Sequence, residues 1–535
     1  MQRDFSSLTR GGLDLLVVGG GIYGAWTAYD AALRGLRVAL VERTDWAAGT
    51  SSASSKLVHG GLRYLEQFHL GLVRVSLGER RRLAELAPHR VSPLRFVIPA
   101  YRGGRVGRLR WRLGLTLYDL LAGRDQPVAP HESLSAAPLY ERFPFLRKDG
   151  LLGGFSYGDC QLDDARCALE VVDGAVGAGV AAVNRAEVTG ILRDGERVIG
   201  AVVADRETGA ALDVTAAMTI DCSGSWSAGL WQDAPAVPRR TRLTKGVHLV
   251  MPALPAVEAF LLLSQVDGRV FFLIPWYGRT LLGTTDTPYS GDPDRVGVET
   301  ADVDYLLDAA NAFTTLGWER SDVEASYAGL RVLPNAPGAP TNVTGEWSLA
   351  APAPGFLMSV GGKFTTARAD AARAVDQVMQ SFGRGLGARP TELRPFPWAP
   401  AGDFGTWLQG VTTRGLAVGL DQETARTAAA RFGSGIEALH ARIADRPELA
   451  ARLHPGLPFC RAEVVHAVEH EMARTLHDVL RRRIPLTLLT RPQTGLLTDA
   501  AALAGDALGW TPERRQAEVT GLLHAADEQW ARLTP

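Results

Sequence analysis

Residues 13–42 allow very few folds. Leu15–Val18 is an unbroken apolar run that ends in Gly19-Gly20-Gly21-Ile22-Tyr23-Gly24. An alanine-rich segment, Ala25–Leu33, follows, and then a second apolar run, Val38–Val41, closed by Glu42. Short apolar runs bounded by glycine read as buried strands, and the segment between them holds enough good helix formers to cross back over a sheet. Strand, glycine turn, helix and strand form the βαβ unit of a doubly wound parallel sheet.

The glycines carry chemistry as well as shape. Gly19, Gly21 and Gly24 fit G-x-G-x-x-G, in which the first permits a tight turn and the second lets backbone approach a pyrophosphate at a helix N-terminus. The third lets helix and strand pack closely. Glu42 falls about 20 residues on, where an acid takes ribose hydroxyls and disfavours a 2′-phosphate, leaving FAD or NAD. The next segment favours FAD. Gly49-Thr50-Ser51-Ser52-Ala53-Ser54-Ser55-Lys56 is a run of small hydroxyl residues, followed by Leu57-Val58-His59-Gly60-Gly61-Leu62-Arg63-Tyr64. Hydroxyls and glycines on one loop suit a long, extended ligand, and a flexible linker does not carry His, Arg and Tyr at this density.

With 535 residues the chain exceeds one core and should divide into two or three units. Strand-like runs (Val188–Leu192, Val198–Ala204, Val270–Ile274, Thr280–Gly283), broken by turns at 193–196 and 267–269, suggest an inserted antiparallel layer. The proline-rich stretch Ala388–Asp403 reads as a linker to a helical region, in which Ala462–Arg482 is predicted to be one helix. The fold class is thus α/β plus α. Fifty-seven basic residues against 58 acidic ones give no reason to expect nucleic acid. Four cysteines without CxxC spacing offer neither a zinc site nor a disulfide framework, which fits reduced thiols in a cytosolic setting. The N-terminus lacks the apolar core of a secretory signal, and no apolar run approaches the ~20 residues a spanning helix needs.

The glycine motif, the Gly49–Tyr64 stretch, Tyr157-Gly158-Asp159-Cys160, Lys245-Gly246-Val247-His248, Tyr327-Ala328-Gly329-Leu330-Arg331 and Gly361-Gly362-Lys363-Phe364-Thr365-Thr366 occur in order. On these motifs the chain resembles the FAD-dependent glycerol-3-phosphate dehydrogenase family over nearly its whole length. The resemblance implies oxidation of sn-glycerol 3-phosphate to dihydroxyacetone phosphate, with FAD as cofactor and a membrane quinone as acceptor. It implies a FAD-binding domain in three parts (1–95, 156–240, 326–390). A cap segment (96–155), a substrate domain of antiparallel sheet (241–325) and a helical domain (398–535) complete the division. Three positions depart from the family pattern: Trp26, expected to loosen or rotate helix–strand packing; Ala367; and Glu346, where an arginine is expected.

The resemblance points to His59, Arg63, Tyr64, His248, Arg331 and Lys363 as the catalytic lining. Arg331 and Arg63 are phosphate candidates, because a guanidinium meets phosphate oxygens two at a time. His248 and His59 are the base candidates, with His248 preferred. Lys363, between paired glycines and threonines, is a cation brought to the flavin ring. Cofactor contacts are expected from Gly19, Gly21, Ile22 and Gly24 and from Glu42 and Arg43. Others are expected from Gly49, Thr50, Ser51, Ser54, Ser55 and Lys56, then His59, Gly60, Gly61 and Leu62. The rest are Gly224, Trp226, Gly329, Gly362, Lys363, Phe364 and Thr365. Asp286, Asp163 and Asp164 read as turn or supporting residues, and no metal is expected. Arg102–Leu121, which mixes arginines with Trp111 and leucines, and the cluster Arg481-Arg482-Arg483 are candidates for peripheral contact with the inner face of the membrane. The helical tail is a candidate surface for a homodimer. Three other readings stay open: an oxidase that passes electrons to oxygen, an amine or amino-acid oxidase of the same fold, and a non-catalytic flavin-binding protein.

Overall fold

The computed structural model describes residues 1–66, 68–227, 241–334 and 346–533. Parts of two expected segments, 228–240 and 335–345, lie outside the described residues.

The βαβ unit forms as the sequence dictates. Strand β1 (Leu13–Val18), helix α1 (Ile22–Leu33) and strand β2 (Val38–Glu42) follow one another, with β1 and β2 parallel in the register Leu15↔Val38 to Val18↔Val41. The sheet grows by parallel addition of Ala211–Asp221 beside β1 and Ala181–Asn184 beside β2. Phe356–Val360 then adds beside Ala211–Asp221. Both faces are covered, so β1 and β2 read as continuous apolar runs rather than alternating ones. A Cβ on Gly24 would lie 1.8 Å from the carbonyl oxygen of Gly19, so the third glycine is fixed by close packing of α1 on the turn. The looser packing expected at Trp26 is not found: its side chain is buried and meets Phe396 edge-on at 5.2 Å.

A second, mixed sheet of ten strands, counted among the described residues, stands over the first. Its middle runs Thr241–Pro252, Arg279–Gly283, Val270–Trp276, Ala259–Leu263, Ser92–Tyr101 and Leu151–Gln161. All these neighbours are antiparallel except Ala259–Leu263 with Ser92–Tyr101, which is parallel. Ala325–Pro334 pairs along nearly the whole of Thr241–Pro252. The chain thus leaves the first sheet twice and returns to it twice. From Phe404 onward the described chain is almost entirely helical, ending in Pro512–Ala531.

Four expectations need correction. The runs Val188–Leu192 and Val198–Ala204 are not part of the inserted layer: they pair with each other, and the second pairs with Ala211–Asp221 of the first sheet. The stretch Ala388–Asp403 is not a free linker. Thr391 bonds Asp30, the Phe396 amide bonds the Leu86 carbonyl, and the Trp398 amide bonds Glu170, so it is a strap packed on the first domain. Ala462–Arg482 is not one helix. Helix Arg461–His470 stops, Met472 takes φ +55°, and the chain resumes with Leu476–Asp478 and a wide π-helical turn, Val479–Arg483. The break frees Glu471 to pair with buried Arg166 at 2.7 Å. It also turns the triple-arginine cluster inward, contrary to a membrane-facing role: Arg482 bridges Asp45 at 2.5 Å, and Arg483 binds the same carboxylate. Buried charges persist only when paired, and here the pairing ties the helical domain to the loop that follows β2.

Candidate active site

A cavity of about 1300 Å³ runs between the two sheets from the N-terminus of α1 to the strands Thr241–Pro252 and Ala325–Pro334. At one end the glycine turn has no room for side chains: a Cβ on Gly19 would meet the Cys222 carbonyl at 2.7 Å. The Ile22 amide at the start of α1 donates to Ser51 Oγ at 2.9 Å, which joins the helix terminus to the hydroxyl-rich loop. Glu42, at the end of β2, accepts from the Gly20 and Thr44 amides at 2.7 and 2.8 Å. Burial raises its pKa against those bonds. Oε1 also accepts the Thr44 hydroxyl at 3.1 Å, so Oε2 is the oxygen that keeps a second lone pair for a hydroxyl donor. Arg43 stacks over Trp226 at 5.3 Å, and both bind Asp294 at the cavity rim.

At the other end two cations flank one phenol. Gly61, at φ +76°, starts the short turn Leu62–Leu65 that carries Arg63 and Tyr64. Gly361 and Gly362, at φ +74° and +93°, deliver Lys363 from the opposite side. Lys363 Nζ sits 3.6 Å from the Tyr64 ring centroid and the Arg63 guanidinium 5.1 Å away. Burial alone would raise the Tyr64 phenol; Arg63 and Lys363 outweigh it and hold it below its ordinary value. Burial, helped by Arg63, likewise lowers Lys363, whose buried ammonium has no hydrogen-bond partner.

The sheet supplies the remaining groups. Arg331 lies across Gly246, where a Cβ would stand 2.6 Å from its guanidinium, and it donates to the Thr285 carbonyl at 2.8 Å. Asp286, buried, stands 3.3 Å from Arg331 and so supports it rather than facing the cavity alone. His248 lies over Gly283, where a Cβ would be 2.4 Å from the ring, and its Nε2 is 2.8 Å from Ser55 Oγ. Burial drives His248 down to about 3, with Lys56 and Arg331 pushing the same way, and burial drives His59 down to about 4. Both imidazoles are therefore neutral at any ordinary pH. Each can accept a proton above its own pKa and loses that ability only when pH falls through it. We expect kcat to show no ascending limb between about pH 5 and about pH 8. A pH–rate profile with a limb centred near the free-imidazole value of about 6.5 would contradict this.

Most of the residues singled out from the sequence line this one cavity: Gly19, Gly21, Ile22, Glu42, Arg43, Gly49, Thr50, Ser51, Ser54, Ser55 and His59 do so. So do Arg63, Tyr64, Gly224, Trp226, His248, Gly329, Arg331, Gly362, Lys363, Phe364 and Thr365. Five do not. Gly24 is a packing residue, and Leu62 belongs to the core. Lys56 is buried, its ammonium held by Asp164 at 2.6 Å and the Ser52 carbonyl at 2.8 Å. Gly60 is pressed against Tyr118 and Leu77, and Gly61 against Tyr64. Asp163 caps the helix Asp164–Gly177 by accepting from the Arg166 amide. Glu346 is exposed, and its charge opposes the lowering of Lys363.

Sequence reasoning missed two contributions. Tyr23 Oη accepts from the Lys363 amide at 2.9 Å and donates to Asp370 at 2.8 Å, which fixes the Gly361–Lys363 turn. It sat inside the glycine motif, where its helical position gave no sign of a partner 340 residues away. Thr475, His477 and Arg481 bring the helical domain to the cavity wall, and only the break after His470 allows it.

FAD fits what is present: a glycine turn open to backbone approach, an acid at the end of β2, an elongated cavity and an unpartnered ammonium at its far end. The family model for FAD dependent oxidoreductases matches residues 14–368, and that for the C-terminal domain of alpha-glycerophosphate oxidase matches residues 364–515. A glycerol-3-phosphate dehydrogenase of Synechocystis sp. is 35% identical, covering 96% of each chain. An aerobic glycerol-3-phosphate dehydrogenase of Bacillus subtilis is 34% identical over 90% of this chain and 89% of its own. The solved structure of the glycerol-3-phosphate dehydrogenase from Bacillus halodurans, complexed with FAD, superposes with a TM-score of 0.78. It is 28% identical and covers 98% of this chain and 96% of its own.

Proposed function

The chain belongs to the FAD-dependent oxidoreductase family and carries the C-terminal domain of alpha-glycerophosphate oxidase, and from that premise we propose that it is an FAD-dependent glycerol-3-phosphate dehydrogenase. Bound FAD supplies what no side chain can, an acceptor for two electrons and the carbinol hydrogen of the substrate. The observation that carries the reading is the cluster of Arg63 and Lys363 on Tyr64 with Arg331 near enough to feel the charge of Arg63, three cations against the two carboxylates Asp286 and Glu346. An excess of positive charge in a partly buried site favours an anionic substrate, and guanidinium matches a phosphate monoester. In this reading Arg331 and Arg63 hold the phosphate and Tyr64 packs beneath it. Lys363 would hold the flavin ring and stabilise its reduced, anionic form, and His248 Nε2 takes the hydroxyl proton as the carbinol carbon is oxidised.

The acceptor in this reading is a quinone, and helix Arg108–Ala122 brings the protein to it. Leu109, Leu113 and Leu120 of this helix are 71%, 63% and 74% exposed. Arg105, just before the helix, binds Glu66, two residues from Phe68, itself 84% exposed. Exposed leucines interleaved with Arg108, Arg110 and Arg112 suit an anionic lipid surface on the cytoplasmic side. Among the described residues no helix is long and apolar enough to cross a membrane. Vesicles containing phosphatidylglycerol should float the protein, and L109E with L113E should weaken that binding at least ~10-fold. Equal flotation on purely zwitterionic vesicles would remove the charge argument.

The acceptor is tested by reducing the protein anaerobically with glycerol 3-phosphate and then admitting a water-soluble quinone or oxygen. Rapid reoxidation by the quinone, with oxygen slow, is the expected result. Rapid reoxidation by oxygen with one peroxide per flavin would make the protein an oxidase.

A further inference from the structure

His248 is not held by Ser55 alone. It occupies Thr241–Pro252 directly opposite Tyr327 of Ala325–Pro334 in the antiparallel register, and the two rings stack at 4.9 Å between centroids with planes 12° apart. The strand on the other side offers Gly283 opposite His248, so the imidazole has an aromatic wall on one side and open backbone on the other. Tyr327 Oη donates to the Ser54 carbonyl at 3.0 Å, while His248 Nε2 meets the hydroxyl of the next residue, Ser55. Both rings are thus hooked to consecutive residues of the hydroxyl-rich loop. The phenol is buried, its pKa raised far above the ordinary value by burial, so it stays protonated. The Lys56 ammonium and the Arg481 guanidinium lie 5.3 and 5.7 Å from the Tyr327 ring centroid. Arg481 comes from the helical domain, and no hydrogen bond satisfies its Nη1.

We propose that Tyr327 is a positioning residue for the reaction: its ring fixes the plane of the His248 imidazole so that Nε2 keeps its direction toward Ser55 and the cavity. The proposal rests on the reading of His248 as proton acceptor. An imidazole with an unpartnered Nδ1 and glycine on one side has few contacts to define its tilt, and the stack supplies the missing one. Misorientation of a proton acceptor by a fraction of an ångström costs rate rather than binding. The ring, not the hydroxyl, carries the effect, which separates this role from that of an ordinary buried tyrosine.

The test compares Tyr327→Phe, Tyr327→Leu and both in a His248→Ala background, as flavin-loaded enzyme with a quinone acceptor. Tyr327→Phe should retain kcat within about 3-fold, because the stack survives. Tyr327→Leu should lower kcat about 30-fold with KM within about 3-fold, and should cost less than about 3-fold once His248 is alanine, since there is no ring left to position. Rates are taken per bound flavin, read from its visible absorbance, so partial loss of cofactor does not enter. If the leucine variant does not accumulate with flavin, Tyr327→Met replaces it, being flexible enough to fill the same space. Equal losses in Phe and Leu, or an undiminished loss in the His248→Ala background, would overturn the positioning role. Near-normal activity of His248→Ala by itself would instead overturn the reading on which it rests.

Discussion

With His248 replaced by alanine, the protein should purify yellow, bind glycerol 3-phosphate with nearly unchanged KM, and turn over about 10³-fold more slowly. The magnitude is that of removing a general base, which contributes roughly 10²- to 10⁴-fold. The flavin should stay bound because Glu42, the glycine turn and Lys363 stand on other strands and loops. Little strain is introduced, since the ring lies over Gly283 and against Tyr327, both of which tolerate a smaller neighbour. Stopped-flow bleaching under anaerobic conditions reads the step directly. His59→Ala should lower the same rate far less. A reversed ranking would move the proton acceptor to His59, whose backbone amide is held by Thr365 at 3.3 Å.

Arg331→Ala should lower kcat/KM for glycerol 3-phosphate about 10³-fold, equivalent to about 4 kcal/mol, with most of the change in KM. A two-pronged guanidinium–phosphate contact in a shielded site accounts for a loss of this size. Arg331→Lys should recover only part of it, because an ammonium cannot donate to two phosphate oxygens and to the Thr285 carbonyl in the same geometry. The alanine variant also leaves Asp286 buried beside an empty space, so stability and flavin content must be measured alongside. Glycerol is the informative second substrate. If the arginine acts on phosphate, its removal should scarcely change the poor activity toward glycerol. An equal loss for both would mean that Arg331 supports the sheet rather than the substrate.

The glycine turn, α1 and Glu42 were legible because each is a local constraint: a strand that ends in three glycines and resumes at an acid has few other structures. Strand-like runs broken by Asp-Gly turns likewise marked the hairpins at 193–196 and 267–269. Most of the site residues converge on one cavity, but they were found through motif resemblance, since His59, His248 and Arg331 carry no local mark of their partners. What stayed hidden was set by distant contacts. Nothing near Glu471 announces that the helix must break to satisfy Arg166, and so the triple arginine looked like surface when Asp45 had already claimed two of its members. Proline and polar residues made 388–403 look loose, although Phe396 and Trp398 anchor it. Lys56, a cation in a run of serines, reads as a cofactor contact and is instead the partner of Asp164, 108 residues on.

One anaerobic mixing experiment decides between glycerol 3-phosphate and the other candidate substrates. Purified yellow protein is mixed with sn-glycerol 3-phosphate, visible absorbance is followed, and dihydroxyacetone phosphate is assayed after the flavin bleaches. We expect complete bleaching with one dihydroxyacetone phosphate formed per flavin, while glycerol and simple amino acids leave the yellow colour unchanged on the same timescale. Bleaching by an amine or amino acid in preference to the phosphate ester, or none by glycerol 3-phosphate at any concentration, would contradict the glycerol 3-phosphate reading.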